Sequence, residues 1–228
     1  MTKNFKWANT AAKTAQTGMT EGDIGYQLDT NVQYTYDGAA WIVPTASGLV
    51  PIIPTSASAV TGTVTIGTSG KITFTTVGTS FSVNGCFTSA YDNYLILLRH
   101  VNSSTGYMKF TLRLAGTDAT AAQYDWQRST ALNATNAAAR GQAEVAWQGL
   151  AVNPYPNAII RMDLFNPALA VASQMFGNMS ETDLAGNVGL MSWAGGHRAL
   201  TAYDGMTFGI VTGGTETGTL RIYGYNNN

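Results

Sequence analysis

His100 and His197 are the only imidazoles in the chain, and neither has a second His or a Cys at a ligand-forming interval. Zinc and related centres need three or four such groups converging on one point, so the sequence predicts no metal and no cofactor. The run GTSGK, Gly67 to Lys71, resembles the end of a phosphate loop. The first glycine of that pattern would fall at Thr65, and Lys71 is followed by Ile72 rather than Ser or Thr, so the pattern fails. The same residues make a good turn before a strand starting at Ile72. No Gly-x-Ser-x-Gly elbow is present. Asp125, Glu144, Asp163, Glu181 and Asp183 form a pool from which a glycosidase pair could be drawn. Spacing alone pairs none of them, and on a surface with few charges each also reads as a turn or rim residue. The sequence therefore reads as non-enzymatic, with a glycan-degrading enzyme as the least favoured alternative.

The chemistry the chain does offer is recognition. Sugars are bound by flat apolar faces that meet their C–H surfaces, with amides and hydroxyls nearby to fix orientation. Tyr124, Trp126 and Gln127, then Asn133 and Asn136, then Trp147 and Gln148, then Asn153, Tyr155 and Asn157 supply that mixture. Trp126, Trp147, Asn153, Tyr155 and Asn157 are the candidate receptor contacts. Tyr155 stands between Pro154 and Pro156, which limit the entropy lost on binding. The competing reading makes Trp126 and Trp147 core residues, because large aromatics dominate burial.

The elements that would carry these residues follow from composition and period. Hydrophobic residues are 45% of the 228, so a packed core is within reach, but charged residues are only 11% against roughly 25% in ordinary globular domains. Thr, Ser, Asn, Gln, Gly and Ala must build the surface. A net charge of −1 argues against a nucleic-acid partner, which needs clustered Lys and Arg. No apolar run approaches the roughly 20 residues of a membrane span, no signal peptide is apparent, and the single cysteine, Cys86, excludes an intrachain disulfide.

From Thr63 onward the hydrophobic period is two. Met108, Phe110, Leu112 and Leu114 share one face against Lys109, Thr111 and Arg113. Ile160, Met162 and Leu164 oppose Arg161 and Asp163, and Leu220 and Ile222 oppose Arg221 and Tyr223. Such alternation with Gly and Asn turns predicts an all-β, antiparallel β-sandwich of jelly-roll type over residues 63–228. The Ala-rich stretch 119–148 reads as strand plus long loop, with a short helix over 137–146 as the alternative. Residues 44–62, with Pro44, Pro51 and Pro54, read as an extended linker or strand-like connector.

Ahead of the linker, residues 21–43 read as a hairpin: IGYQL and VQYTY are joined by Asp29-Thr30-Asn31, with Asp37-Gly38 as a second turn. An isolated hairpin is marginal in water and must pack on something. Residues 1–20 read as an extended arm or a frayed terminus. Lys3, Phe5, Lys6 and Trp7 are the residues that would dock such an arm.

Three stretches together resemble bacteriophage fibre and minor tail proteins: FSVNGCFTSAYDNYLILL from Phe81, LRLAGTDATAAQYDWQ from Leu112, and TAYDGMTFGIVTGGTETGTLRIYGYNN from Thr201. The hairpin stretch is similar to modules near the start of phage fibre proteins. The resemblance implies a virion structural protein at the virion surface, with a β-sandwich head and an N-terminal attachment segment. It implies a homotrimer, partnered by other tail or capsid proteins and adsorbing to the host envelope, without catalytic residues; the aromatic and amide residues above make a host cell-surface glycan the expected ligand. The short anchor, with no coiled-coil or β-helical shaft, favours a compact knob or spike. A capsid decoration or head-fibre protein is the alternative. Copies packing about a symmetry axis would use Ile24, Tyr26, Leu28, Val32, Tyr34 and Tyr36.

Overall fold

A computed structural model describes residues 2–42, 48–104, 106–132, 135–152, 158–182, 186–211 and 213–226. The backbone divides into two compact units, Met1–Ser47 and Gly48–Asn227.

The first unit is a four-stranded sheet in the order β1 (Asn4–Trp7), β2 (Ile24–Gln27), β3 (Val32–Tyr36), β4 (Trp41–Ile42). The expected hairpin is β2–β3, antiparallel, with Gly25 opposite Tyr34. The expected arm is not a free extension. Phe5 and Trp7 lie in β1, which pairs in parallel with β2, and the connection carries a single-turn helix, α1 (Thr10–Thr14), capped by the Asn9 side chain. Trp7 is buried because it fills this unit's own small core. Its indole lies over Gly25, where a Cβ would fall 1.8 Å from the ring, and Trp41 meets it edge-on at 4.6 Å. Asp23, fully enclosed, accepts the backbone N–H groups of Lys3 and Thr20 at 2.7 and 2.8 Å. Those N–H groups hold its carboxyl below the usual aspartate range, the Lys3 bond contributing most.

The second unit is a two-sheet antiparallel sandwich, as the period-two pattern predicts. The larger sheet runs β14 (Thr135–Glu144), β13 (Tyr124–Leu132), β18 (Val188–His197), β17 (Ser173–Thr182), β16 (Ala158–Phe165), β10 (Asn93–Asn102), β20 (Glu216–Tyr225), β8 (Ile72–Val77), β7 (Thr63–Ile66). It curls into a half-barrel, and β5 (Leu49–Pro51) pairs with the far end of β20. The smaller sheet runs β12 (Thr117–Asp118), β11 (Gly106–Leu114), β19 (Gly205–Ile210), β9 (Ser80–Asn84), β6 (Ser56–Ala59). The strand β15 (Trp147–Val152) also pairs with β11.

The core lies between the sheets. Phe74 of β8 stacks on Phe81 of β9 at 4.5 Å, and Phe110 of β11 faces Trp193 of β18 at 6.5 Å. Each fully buried ring of this kind contributes about 1.5–3 kcal/mol by leaving water. Met108, Phe110, Leu112, Ile160, Met162, Leu164, Leu220 and Ile222 are all buried as the pattern requires. Leu114 is not: it ends β11 at the Ala115–Gly116 turn into β12 and is 46% exposed. Cys86 is fully buried, and desolvation pushes its thiol pKa far up, out of the reactive range.

Two further expectations need correction. The 137–146 stretch is not a helix: 137–144 belong to β14, which pairs with β13 along its length, and 145–146 form the bend before β15. In the Pro-rich stretch 44–62 the described part, from 48, is strand rather than free linker: it supplies β5 and β6, and Ile52 N donates to Ile222 O at 2.9 Å. Pro51 fits because β5 lies at a sheet margin, pairing only with β20, and Pro54 falls between β5 and β6.

Candidate functional site

The outer face of the smaller sheet is rich in hydroxyls, with two cations among them. Alternation along β11 turns Tyr107, Lys109, Thr111 and Arg113 outward, and strand register aligns Ser58, Ser82, Thr207 and Thr111 in one row. Arg113 is committed to holding this face together. Its Nε donates to Asn84 Oδ1 at 3.0 Å, its Nη1 donates to Ser82 and Thr207 at 2.7 Å, and it is paired with Asp118. Thr207 in turn donates to Asp118 at 2.6 Å. Gly209 on β19 leaves room beside Lys109, whose Cε would lie 3.1 Å from an added Cβ.

Two clefts open along this side of the molecule and share Gln148. One is bounded by Lys109, Thr111, Asp118 and Thr120 and has a volume of about 320 Å³. The other, about 170 Å³, is formed by Tyr107, Trp126, Arg128 and Gln148.

These four come from three strands. Tyr107 is on β11 and Gln148 on β15, beside it in the smaller sheet. Trp126 and Arg128 are on β13, which the curl of the larger sheet carries round to meet β15. A β-bulge helps set the indole: two steps on β13, Tyr124 to Trp126, face three on β14, Gly141 to Glu144. Ala143 takes up the extra residue at φ +54°, and its N–H donates to Asp125 Oδ1 at 2.9 Å. Gly141 leaves space for the indole, since a Cβ there would lie 2.4 Å from Trp126 Nε1. Arg128 lies over the Tyr107 ring at 5.1 Å, and Gln148 Nε2 donates to Glu144 Oε2 at 3.0 Å. Neither Trp126 Nε1 nor Arg128 Nη1, both shielded from solvent, has a hydrogen-bond partner.

The structure separates the other candidates. Trp147 is a core residue, fully buried, with Nε1 donating to Gly196 O at 3.0 Å and its ring edge-on to Tyr124 at 5.1 Å. It presents no surface to a receptor, because its side of β15 faces the sandwich interior. Only Trp126 of the two reaches a cleft. Asn153, Tyr155 and Asn157 lie outside the described residues, as does Asn133. Tyr107 and Arg128 escaped the sequence reading. Tyr107 lies in a strand read for its core face, and nothing local links it to Arg128.

In the first unit, Lys3 and Lys6 are exposed, Phe5 is half-buried and Trp7 is enclosed. The six interface candidates divide between two faces. Register puts Val32, Tyr34 and Tyr36 on the face of Gly25 and Trp7, and Ile24 and Tyr26 on the other. Tyr34 packs on Trp7 at 6.2 Å and lies beneath Lys13 Nζ at 3.7 Å, while Ile24 and Leu28 are exposed.

The carboxylate pool is dispersed. Asp125 pairs with Arg198 at 3.0 Å, Asp163 lies 3.6 Å from Arg161 and accepts from Tyr225, and Glu144 is held by Gln148. Glu181 is buried, and Asp183 lies outside the described residues. Among the described residues no three His, Cys, Asp or Glu side chains gather to hold a metal ion. His100 and Glu216 form a separate buried pair, with Nδ1 to Oε1 at 3.5 Å. That is too long for a hydrogen bond, and burial drives both groups neutral. It raises Glu216 to about 7 and lowers His100 to about 4. A third cleft, about 480 Å³, lies on the larger sheet near Phe165, Phe176, Gln127 and Arg140. Among the described residues no helix is long and apolar enough to cross a membrane.

No protein-family model matches the chain, and no curated protein matches it.

Proposed function

We propose that the protein is a virion-surface attachment protein, the knob of a tail fibre or spike, whose sandwich binds a host saccharide without turning it over. The observation that carries this reading is the cleft of Tyr107, Trp126, Arg128 and Gln148. It joins two aromatic rings to an amide and a guanidinium, and the hydroxyl-rich cleft beyond Gln148 extends it. That is the equipment sugar binding requires, on a rigid sheet. The resemblance of three stretches to phage fibre proteins supplies the biological setting.

The first unit attaches the protein and brings copies together as a homotrimer. The exposed Ile24 and Leu28 form the contact, and sedimentation of the purified protein checks it: a monomer at micromolar concentration overturns the assembly. The saccharide site is tested by adsorption of particles carrying Trp126→Ala, with folding and incorporation verified. Adsorption should fall about tenfold or more, as loss of a ring worth over 1.4 kcal/mol requires. Unchanged adsorption, there and after deletion of the whole protein, overturns the reading.

One observation favours the decoration alternative. Ile159, Phe165, Phe176 and Leu190 are all exposed and share the outer face of the larger sheet. Apolar residues gathered on one face mark protein contact. Loss of particle incorporation by Phe176→Ser, with adsorption per incorporated copy intact, would identify that face as the particle contact.

A further inference from the structure

We infer that the cleft selects an acidic saccharide, a sugar bearing a carboxylate, rather than a neutral one. The inference rests on the saccharide reading above and specifies its ligand.

The argument is one of charge left over. Only 11% of the chain is charged, and the carboxylates beside the two joined clefts are already engaged. Asp118 is paired with Arg113, and Glu144 accepts from Gln148. Among the described residues, neither Lys109 nor Arg128 has a carboxylate partner. Both line the clefts, and Gln148, which lines both, is the cross-strand neighbour of Lys109. Two unneutralised cations therefore flank one amide.

Arg128 is held for the task. Its guanidinium carbon lies 5.1 Å from the centre of the Tyr107 ring, a cation–π contact that draws the charge to the cleft and leaves its N–H groups for hydrogen bonding. Its Nη1 is shielded from solvent and unpartnered, an unfavourable state that an incoming anion relieves. A planar guanidinium edge matches a carboxylate through two parallel hydrogen bonds. Trp126 offers its ring to the sugar's C–H face, and Lys109 adds a second positive charge along the groove. A neutral sugar would use the rings and the amide but leave both charges unmet.

The test uses the full chain on a panel of oligosaccharides containing sialic, glucuronic or galacturonic acid, the methyl esters of the same sugars, and neutral hexose oligomers. Methyl esterification keeps ring and hydroxyls and removes the charge. At least one acid should bind about tenfold tighter than its ester, the weight of one charge-assisted pair, and its affinity should fall as salt is raised. Arg128→Gln should erase that preference and Lys109→Gln should reduce it, each with an unchanged melting temperature. Equal binding of acid and ester, binding of neutral sugars alone, or binding of none overturns the inference. The attachment reading is judged separately, by adsorption of Trp126→Ala particles: if those adsorb poorly while the panel shows no acid preference, attachment stands and acid selection falls.

Discussion

Glu216 and His100 show what a single buried side chain does to stability. In the folded protein Glu216 keeps its proton up to about pH 7 and His100 stays neutral down to about pH 4. Unfolded, they titrate near their ordinary values of 4.5 and 6.5. Between those two values each state holds one proton, on Glu216 when folded and on His100 when unfolded, so the pair leaves stability flat with pH. As pH rises from 6.5 to 7, the unfolded chain releases its proton first and stability falls. Glu216→Gln removes the compensating group. The unfolded chain then binds the extra proton between pH 4 and 6.5, so stability should climb with pH across that window. Urea midpoints measured at half-unit intervals check this, and a flat profile in the variant would show that His100 is not held neutral.

Strand β11 carries core and site on its two sides, and its register can be tested residue by residue. Leu112 is fully buried and Leu114 is 46% exposed. Leu112→Asp should therefore cost several kcal/mol and prevent folding, while Leu114→Asp should shift stability by about 0.5 kcal/mol or less. Thermal melts of the two variants decide it, and equal damage would mean the strand ends elsewhere. The period of two made β11, β16 and β20 legible, and turn residues made the β2–β3 hairpin legible. Strand β14 was not, because its alanines are mostly exposed on both faces and leave no alternation to read. Pairing with β13 defines it instead. The cleft was legible only in part. Trp126 and Trp147 are alike as residue types, but a bulge and the curl of a sheet put one at a cleft and the other in the core. Tyr107 and Arg128 meet only because β15 pairs with β11 and the larger sheet wraps round to it. Such long-range contacts have no local signature.

The division at Gly48 sets how the whole molecule should respond to truncation. A chain beginning at Gly48 retains β5 and β6 and should melt cooperatively, close to the intact second unit. A chain beginning at Thr63 loses both strands, uncovers the margin of β9 and opens the contact between Ile52 and Ile222; it should melt lower or fail to fold. Calorimetry of the two truncations checks the boundary, and equal melting would return 48–62 to the role of a linker. The burial of Cys86 gives this molecule a clock. As the chain's sole thiol, shut inside the second unit, it can meet an alkylating reagent only when that unit opens. Labelling at rising reagent concentration would then time each opening directly, with no need for a melting signal.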